Sequence, residues 1–148
     1  MPRLLIIDAK YNKPIELIDE LKNFLKQNKI KSIALFASVQ FTNLTEFIKQ
    51  LQTINIKVYT TKAKRTNEKI QILGCDCFSD SFKEDIIQNA DITIYVGDGM
   101  FHPKALLLAQ KNHNKSVLIF NPIENKIKLI DHSIVKKQQI ILKRNIKK

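Results

Sequence analysis

Short apolar runs alternate along this chain with stretches whose apolar residues recur every three or four positions. The runs are Leu4 to Asp8, Ser32 to Ser38, Ile56 to Thr60, Asp91 to Val96 and Ser116 to Phe120. Most carry apolar, largely β-branched or aromatic side chains at successive positions, as strands buried on both faces do. Between the first two, Ile15, Ile18, Leu21, Phe24 and Leu25 share a helical face behind Pro14, a residue suited to a first turn. Leu44, Phe47, Ile48 and Leu51 repeat the pattern behind Thr42 or Asn43, either of which can cap a helix. Ser79 or Asp80 is placed to cap a helix through Phe82, Ile86 and Ile87, and Pro103 to open one through Leu106, Leu107 and Leu108. Lys62 to Gln71 reads as a polar loop, Ile127 to Ile130 as a short edge strand, and the tail from Ser133 as helical. Strands joined by crossover helices predict an α/β fold. The expected architecture has three layers: a mostly parallel sheet of four to five strands with helices on both faces.

The length of 148 residues suits one domain over 1–148 with a single core. No apolar run approaches the ~20 residues of a spanning helix, and Met1 to Asp8 lacks the long apolar region of a secretory signal. The two cysteines are separated by one residue, a poor spacing for a structural disulfide. The expectation is a cytoplasmic protein with free thiols and no membrane association. A net charge of +11 favours an acidic partner, protein or nucleic acid. Positive charge concentrates only at Lys62-Ala63-Lys64-Arg65 and in the tail from Lys136 to Lys148. Neither stretch is interleaved with aromatics for base stacking, so nucleic acid is disfavoured and a solvated lysine face is the simpler reading.

All three glycines and both cysteines fall between positions 74 and 99. They lie in Ile72-Leu73-Gly74-Cys75-Asp76-Cys77-Phe78 and in Tyr95-Val96-Gly97-Asp98-Gly99-Met100-Phe101-His102-Pro103. Glycine serves where backbone must turn sharply or approach another group closely. A thiolate on a loop beside glycine suits a metal or a nucleophilic role, and Cys75, adjoining Gly74, is the better candidate than Cys77. An inert, buried cysteine is the competing reading. Gly97, Asp98 and Gly99 form a turn at the carboxyl end of a strand, where parallel sheets bind ligands, and Gly74-Cys75 is expected nearby. Phe101 and His102 follow at the mouth of a helix, whose amides suit an anionic group. His102 serves equally well as a structural residue, and His113 and His132 read as surface residues. No zinc-ligand spacing is present.

Together these stretches resemble a known family. Gln71-Ile72-Leu73-Gly74-Cys75 and then Asp91 through Gly97-Asp98-Gly99 to Pro103 are similar to the central domain of archaeal diphthamide synthase, the 2-(3-amino-3-carboxypropyl)histidine synthase family. Val117-Leu118-Ile119-Phe120-Asn121-Pro122 and Ile130-Asp131 continue the likeness. It is specific around 71–103, softer to 131 and architectural over 4–60.

The resemblance implies three similar α/β domains around a [4Fe-4S] cluster, each giving one cysteine. The cluster binds S-adenosylmethionine and cleaves it to a 3-amino-3-carboxypropyl radical, which is added to a histidine of translation elongation factor 2. By this likeness Cys75 is the iron ligand, and Gly97, Asp98, Gly99, Phe101 and His102 line the S-adenosylmethionine pocket. The chain corresponds to the middle third of a family member and offers one family-type thiolate where the cluster needs three. Chains carrying the other two domains, a homotrimer joining three copies of Cys75, or a relic without a cluster are the routes left open. The isolated monomer is expected to be inactive. Two other classes compete: a non-catalytic binding or regulatory module docking on an acidic partner, and a nucleotide-binding protein using the Gly97 loop. The second is weakened by the charge of Asp98, which would repel phosphate.

Overall fold

The computed structural model describes residues 10–63, 66, 69–72, 85–110 and 115–146. Its elements in chain order are α1 (Asp19–Gln27), β1 (Ser32–Ala37), a 3-10 turn (Val39–Phe41), α2 (Thr45–Thr53) and β2 (Lys57–Tyr59). They continue with α3 (Ile86–Asn89), β3 (Ile92–Val96), α4 (Phe101–Leu108), β4 (Val117–Asn121), β5 (Lys126–Ile130) and α5 (His132–Ile146). The five strands form one sheet in the order β2-β1-β3-β4-β5. Four run parallel, and only β5 is antiparallel, returning from β4 through a tight hairpin with Asn121 opposite Lys126. The expected α/β architecture is the one found.

Side chains alternate across the sheet and build a core on each face. Ile33, Leu35 and Ala37 of β1, Ile94 and Val96 of β3, and Leu118 and Phe120 of β4 meet Leu21 and Leu25 of α1 and Phe47 and Leu51 of α2. Their neighbours Ala34, Phe36, Tyr95, Val117 and Ile119 face the other way, onto Ile86, Ile87, Leu106, Leu107 and Val135. Helices α1 and α2 therefore cover one face and α3, α4 and α5 the other, the three layers that strands apolar at every position require. At the start of the sheet Asp91 ties two strands together. Its carboxylate accepts the Lys31 and Ser32 amides at 2.8 and 3.0 Å, and its own amide donates to the Ser32 hydroxyl oxygen.

Three local expectations need correction. Pro14 does not open α1, which begins at Asp19. Ile15 and Leu17 are both buried, a period of two, so this stretch enters extended, and the Leu17 amide is held by the Gln50 side chain at 2.6 Å. Neither Thr42 nor Asn43 caps α2, because the preceding position belongs to the buried Leu44, and the Thr42 hydroxyl instead donates back to the Val39 carbonyl. Lys62 to Gln71 is more than a polar loop, since Ala63, Thr66 and Ile70 are buried and Gln71 bridges to Ala37 beside β1. Leu4 to Asp8 and the cap at Ser79 or Asp80 lie outside the described residues. The helix expected to run on from Phe82 is described from Ile86, where Asp85 accepts the Gln88 amide.

Candidate functional site

The carboxyl ends of the parallel strands carry the glycine turn. Every residue of β3 is buried, and the ladder extends one residue past it, with the Gly97 amide donating to the Phe120 carbonyl at 3.0 Å. Gly97 is buried, and the Tyr95 ring lies against it and leaves no room for a side chain. Gly99 takes φ +71°, the left-handed region that glycine enters without strain. Two glycines thus do two different jobs, and Asp98 between them is exposed to solvent.

This turn forms one wall of a cleft of about 400 Å³. The β4–β5 hairpin forms the other, with Asn121, Glu124, Lys126 and Lys128 facing Gly97, Asp98 and Gly99. Asn121 also shapes the hairpin, its side-chain oxygen accepting the Ile123 and Glu124 amides. Sequence reasoning missed these hairpin residues. The signal available was the alternation of Lys126 and Lys128 on one face of a strand following Asn121-Pro122.

The structure brings Gly97, Asp98 and Gly99 into this cleft, whereas Phe101 and His102 stand outside its lining. His102 folds back onto the buried Tyr95, with rings stacked at 5.8 Å and the Tyr95 hydroxyl 3.4 Å from Nδ1. Phe101 meets His102 edge-on at 5.4 Å and is 71% exposed. Burial holds the His102 imidazole below its usual range, while the charge of Asp98 pulls the other way. No side chain caps α4, whose first turn begins directly after the glycine turn, and Pro103 occupies that turn where no amide is required. His132 is half-buried rather than on the surface, and its Nε2 is buried without a partner among the described residues.

Cys75, Cys77 and His113 lie outside the described residues. Ile72, three residues before Cys75 in sequence, donates its amide to the Ala37 carbonyl at the carboxyl end of β1. Just before it Ile70 has φ +77°, a costly conformation for a β-branched residue, held by its hydrogen bonds to Thr61 and Ala37. Among the described residues no group of three His, Cys, Asp or Glu side chains is placed to hold a metal ion. A four-iron cluster takes thiolate ligands on its irons, and two cysteines in the whole sequence do not furnish a complete set. One copy of this chain is not by itself a fit for such a cluster.

With fold and turn in place, comparison with known proteins identifies the class. The profile of the family described as "Putative diphthamide synthesis protein" matches residues 2–146, nearly the whole chain. The chain belongs to the diphthamide synthesis protein family, which bears out the resemblance read from its glycine motifs. Two solved structures share the fold. One is Dph2 from Pyrococcus horikoshii, 23% identical, with a TM-score of 0.62 over 80% of this chain and 34% of that one. The other is Dph2 from Pyrococcus horikoshii with a 4Fe-4S cluster, 21% identical, with a TM-score of 0.67 over 86% of this chain and 36% of that one. This chain spans about a third of their length. No curated protein matches it. No helix among the described residues is long and apolar enough to cross a membrane.

Proposed function

We propose that this chain acts in diphthamide biosynthesis as one domain of a 3-amino-3-carboxypropyl transferase, corresponding to the middle third of a family member. The group transferred comes from S-adenosylmethionine and the acceptor is a histidine of translation elongation factor 2. Cys75 contributes one thiolate to a [4Fe-4S] cluster, as the solved relative with such a cluster suggests, and other chains or copies contribute the rest. The observation that carries this reading is the family match over 2–146 combined with a glycine turn at the carboxyl end of β3, bordering a cleft. That cleft suits a zwitterionic amino-acid group. Asp98 and Glu124 offer carboxylates to an ammonium, and Lys126 and Lys128 offer ammonium groups to a carboxylate.

Anaerobic reconstitution with iron and sulfide, read by iron content and cluster absorption, tests the assignment. A cluster is expected only in an oligomer or with family partner chains, and it is expected to be lost in Cys75→Ala but kept in Cys77→Ala. A cluster that survives Cys75→Ala, or none under any of these conditions, overturns the reading. Binding of S-adenosylmethionine to the assembled protein is expected to weaken about tenfold in Asp98→Asn and in Lys126→Ala.

A further inference from the structure

The opposite end of the sheet holds the larger cleft, about 630 Å³, and the proposed chemistry makes no use of it. Its form follows from two copies of one local motif. Helix α1 ends in a turn through Lys29 at φ +53°, with the Ile30 amide bonded back to the Leu25 carbonyl. Helix α2 ends in a turn through Asn55 at φ +62°, with the Ile56 amide bonded back to the Leu51 carbonyl. Both are left-handed caps, and Leu25, Ile30, Leu51 and Ile56 around them all pack into the same core. They deliver the chain into β1 and β2 side by side, because Lys57 donates its amide to Lys31 and Ser32 pairs with Lys57. The cleft lies between the two turns.

Its floor is apolar and its rim is basic. Leu25 and Ile56 are buried beneath, Ile30 is half-buried, and Ile54 is 39% exposed. Lys22, Lys26, Lys29 and Lys31 stand around them, all exposed, and among the described residues no acidic side chain lines the cleft. Lys26 complements the carboxyl end of α1, but that accounts for one of the four lysines. Two acids bond to residues of this rim: the Asp91 carboxylate accepts the Lys31 and Ser32 backbone amides, leaving the Lys31 ammonium out of that contact, and Asp19 lies 4.0 Å from the Lys22 ammonium.

We propose that this cleft docks an acidic segment of a partner protein. One or two apolar side chains seat on Ile30, Ile54 and Ile56, and flanking carboxylates meet Lys22, Lys26, Lys29 and Lys31. Charge complementarity selects this occupant. A second copy seated face to face here would set the lysine rim against itself, and among the described residues the lining contains no aromatic ring on which a base could stack. The inference stands apart from the diphthamide reading, since it involves neither Cys75 nor the glycine turn.

The probe is a fluorescent peptide alternating glutamates with paired leucines, titrated onto the full chain. Saturable binding that weakens with salt is expected. It should fall about tenfold or more in Lys26→Glu/Lys29→Glu and in Ile54→Asp, and stay unchanged in Lys62→Glu, a lysine elsewhere on the surface. Circular dichroism confirms that each variant folds, and loss of iron-binding capacity by Cys75→Ala leaves peptide binding intact. Equal loss in Lys62→Glu, or equal affinity for a polyglutamate without leucine, overturns the proposal. So does preferential binding of phosphatidylserine vesicles or of a single-stranded oligonucleotide, or a dimer abolished by the same cleft variants.

Discussion

A methyl group placed on Gly97 would lie 2.6 Å from the hydroxyl oxygen of Tyr95, two residues back on the same face of β3. It would also meet two ring carbons of Tyr95 at 2.7 and 2.8 Å, so a rotation of the hydroxyl alone relieves nothing. Tyr95 is fully buried and stacked on His102, and the ring has nowhere to go. Gly99 is the opposite case, with open space where its Cβ would be and φ +71°. Gly97→Ala is therefore expected to destabilise by roughly 1–3 kcal/mol through overpacking, and Gly99→Ala by about 1–2 kcal/mol through backbone strain. Gly99→Asn should cost less than Gly99→Ala, because asparagine tolerates the left-handed region. Tyr95→Leu combined with Gly97→Ala should cost less than the two single changes summed. Urea denaturation of the five variants checks this, and strict additivity at 95 and 97 would refute the contact.

His102 supplies a pH signature. Burial, the larger influence, disfavours the charged ring, and the Asp98 charge favours it, leaving the imidazole below its usual value of 6.5. The unfolded chain then binds this proton more readily than the folded one. Stability from His102 is full above 6.5 and declines as the pH falls toward the folded value. His102→Gln should flatten that decline relative to the wild type. In Asp98→Asn the titration of His102, followed by NMR, should move further down. A titration at or above 6.5 in the wild type would remove the argument.

The layers, the positions of the described strands and the glycine turn are legible because they follow from local pattern. A strand buried on both faces, such as Ile92–Val96, announces itself by continuous apolar residues, and Gly97-Asp98-Gly99 by composition. What the sequence concealed depended on distant partners. Pro14 looked like a helix start until Gln50, 33 positions from Leu17, took the backbone amide that holds the segment extended. Leu44 displaced the polar caps because its burial outweighs an exposed hydrogen bond. The cleft wall at Lys126 and Lys128 arises only when β5 turns back antiparallel on β4, and nothing in the spacing of Gly97 and Asp98 foretells which hairpin will face them.

Lys115 shows how such a distant partner can govern the turn that leads into β3, and no motif in the sequence marks it. Its ammonium donates to the carbonyls of Ile87 at 3.1 Å, Gln88 at 2.5 Å and Ala90. These are the carbonyls a short helix leaves open at its carboxyl end, and α3 has only four residues to hold itself together. The Gln110 side chain fixes Lys115 in turn, accepting its amide and donating to its carbonyl, both at 3.0 Å. One cation thereby closes the turn that leads directly into Asp91 and β3, the strand bearing Gly97. Lys115→Met keeps the aliphatic stem and removes the donors, so about 1–3 kcal/mol of stability should be lost. Lys115→Arg should recover part of it. The loss should be local as well as global: hydrogen exchange at the Ala90 amide, bonded to the Ile86 carbonyl, should accelerate before that of the central β3 amides. If Ala90 and β3 accelerate equally, Lys115 contributes to the whole fold and not to this turn.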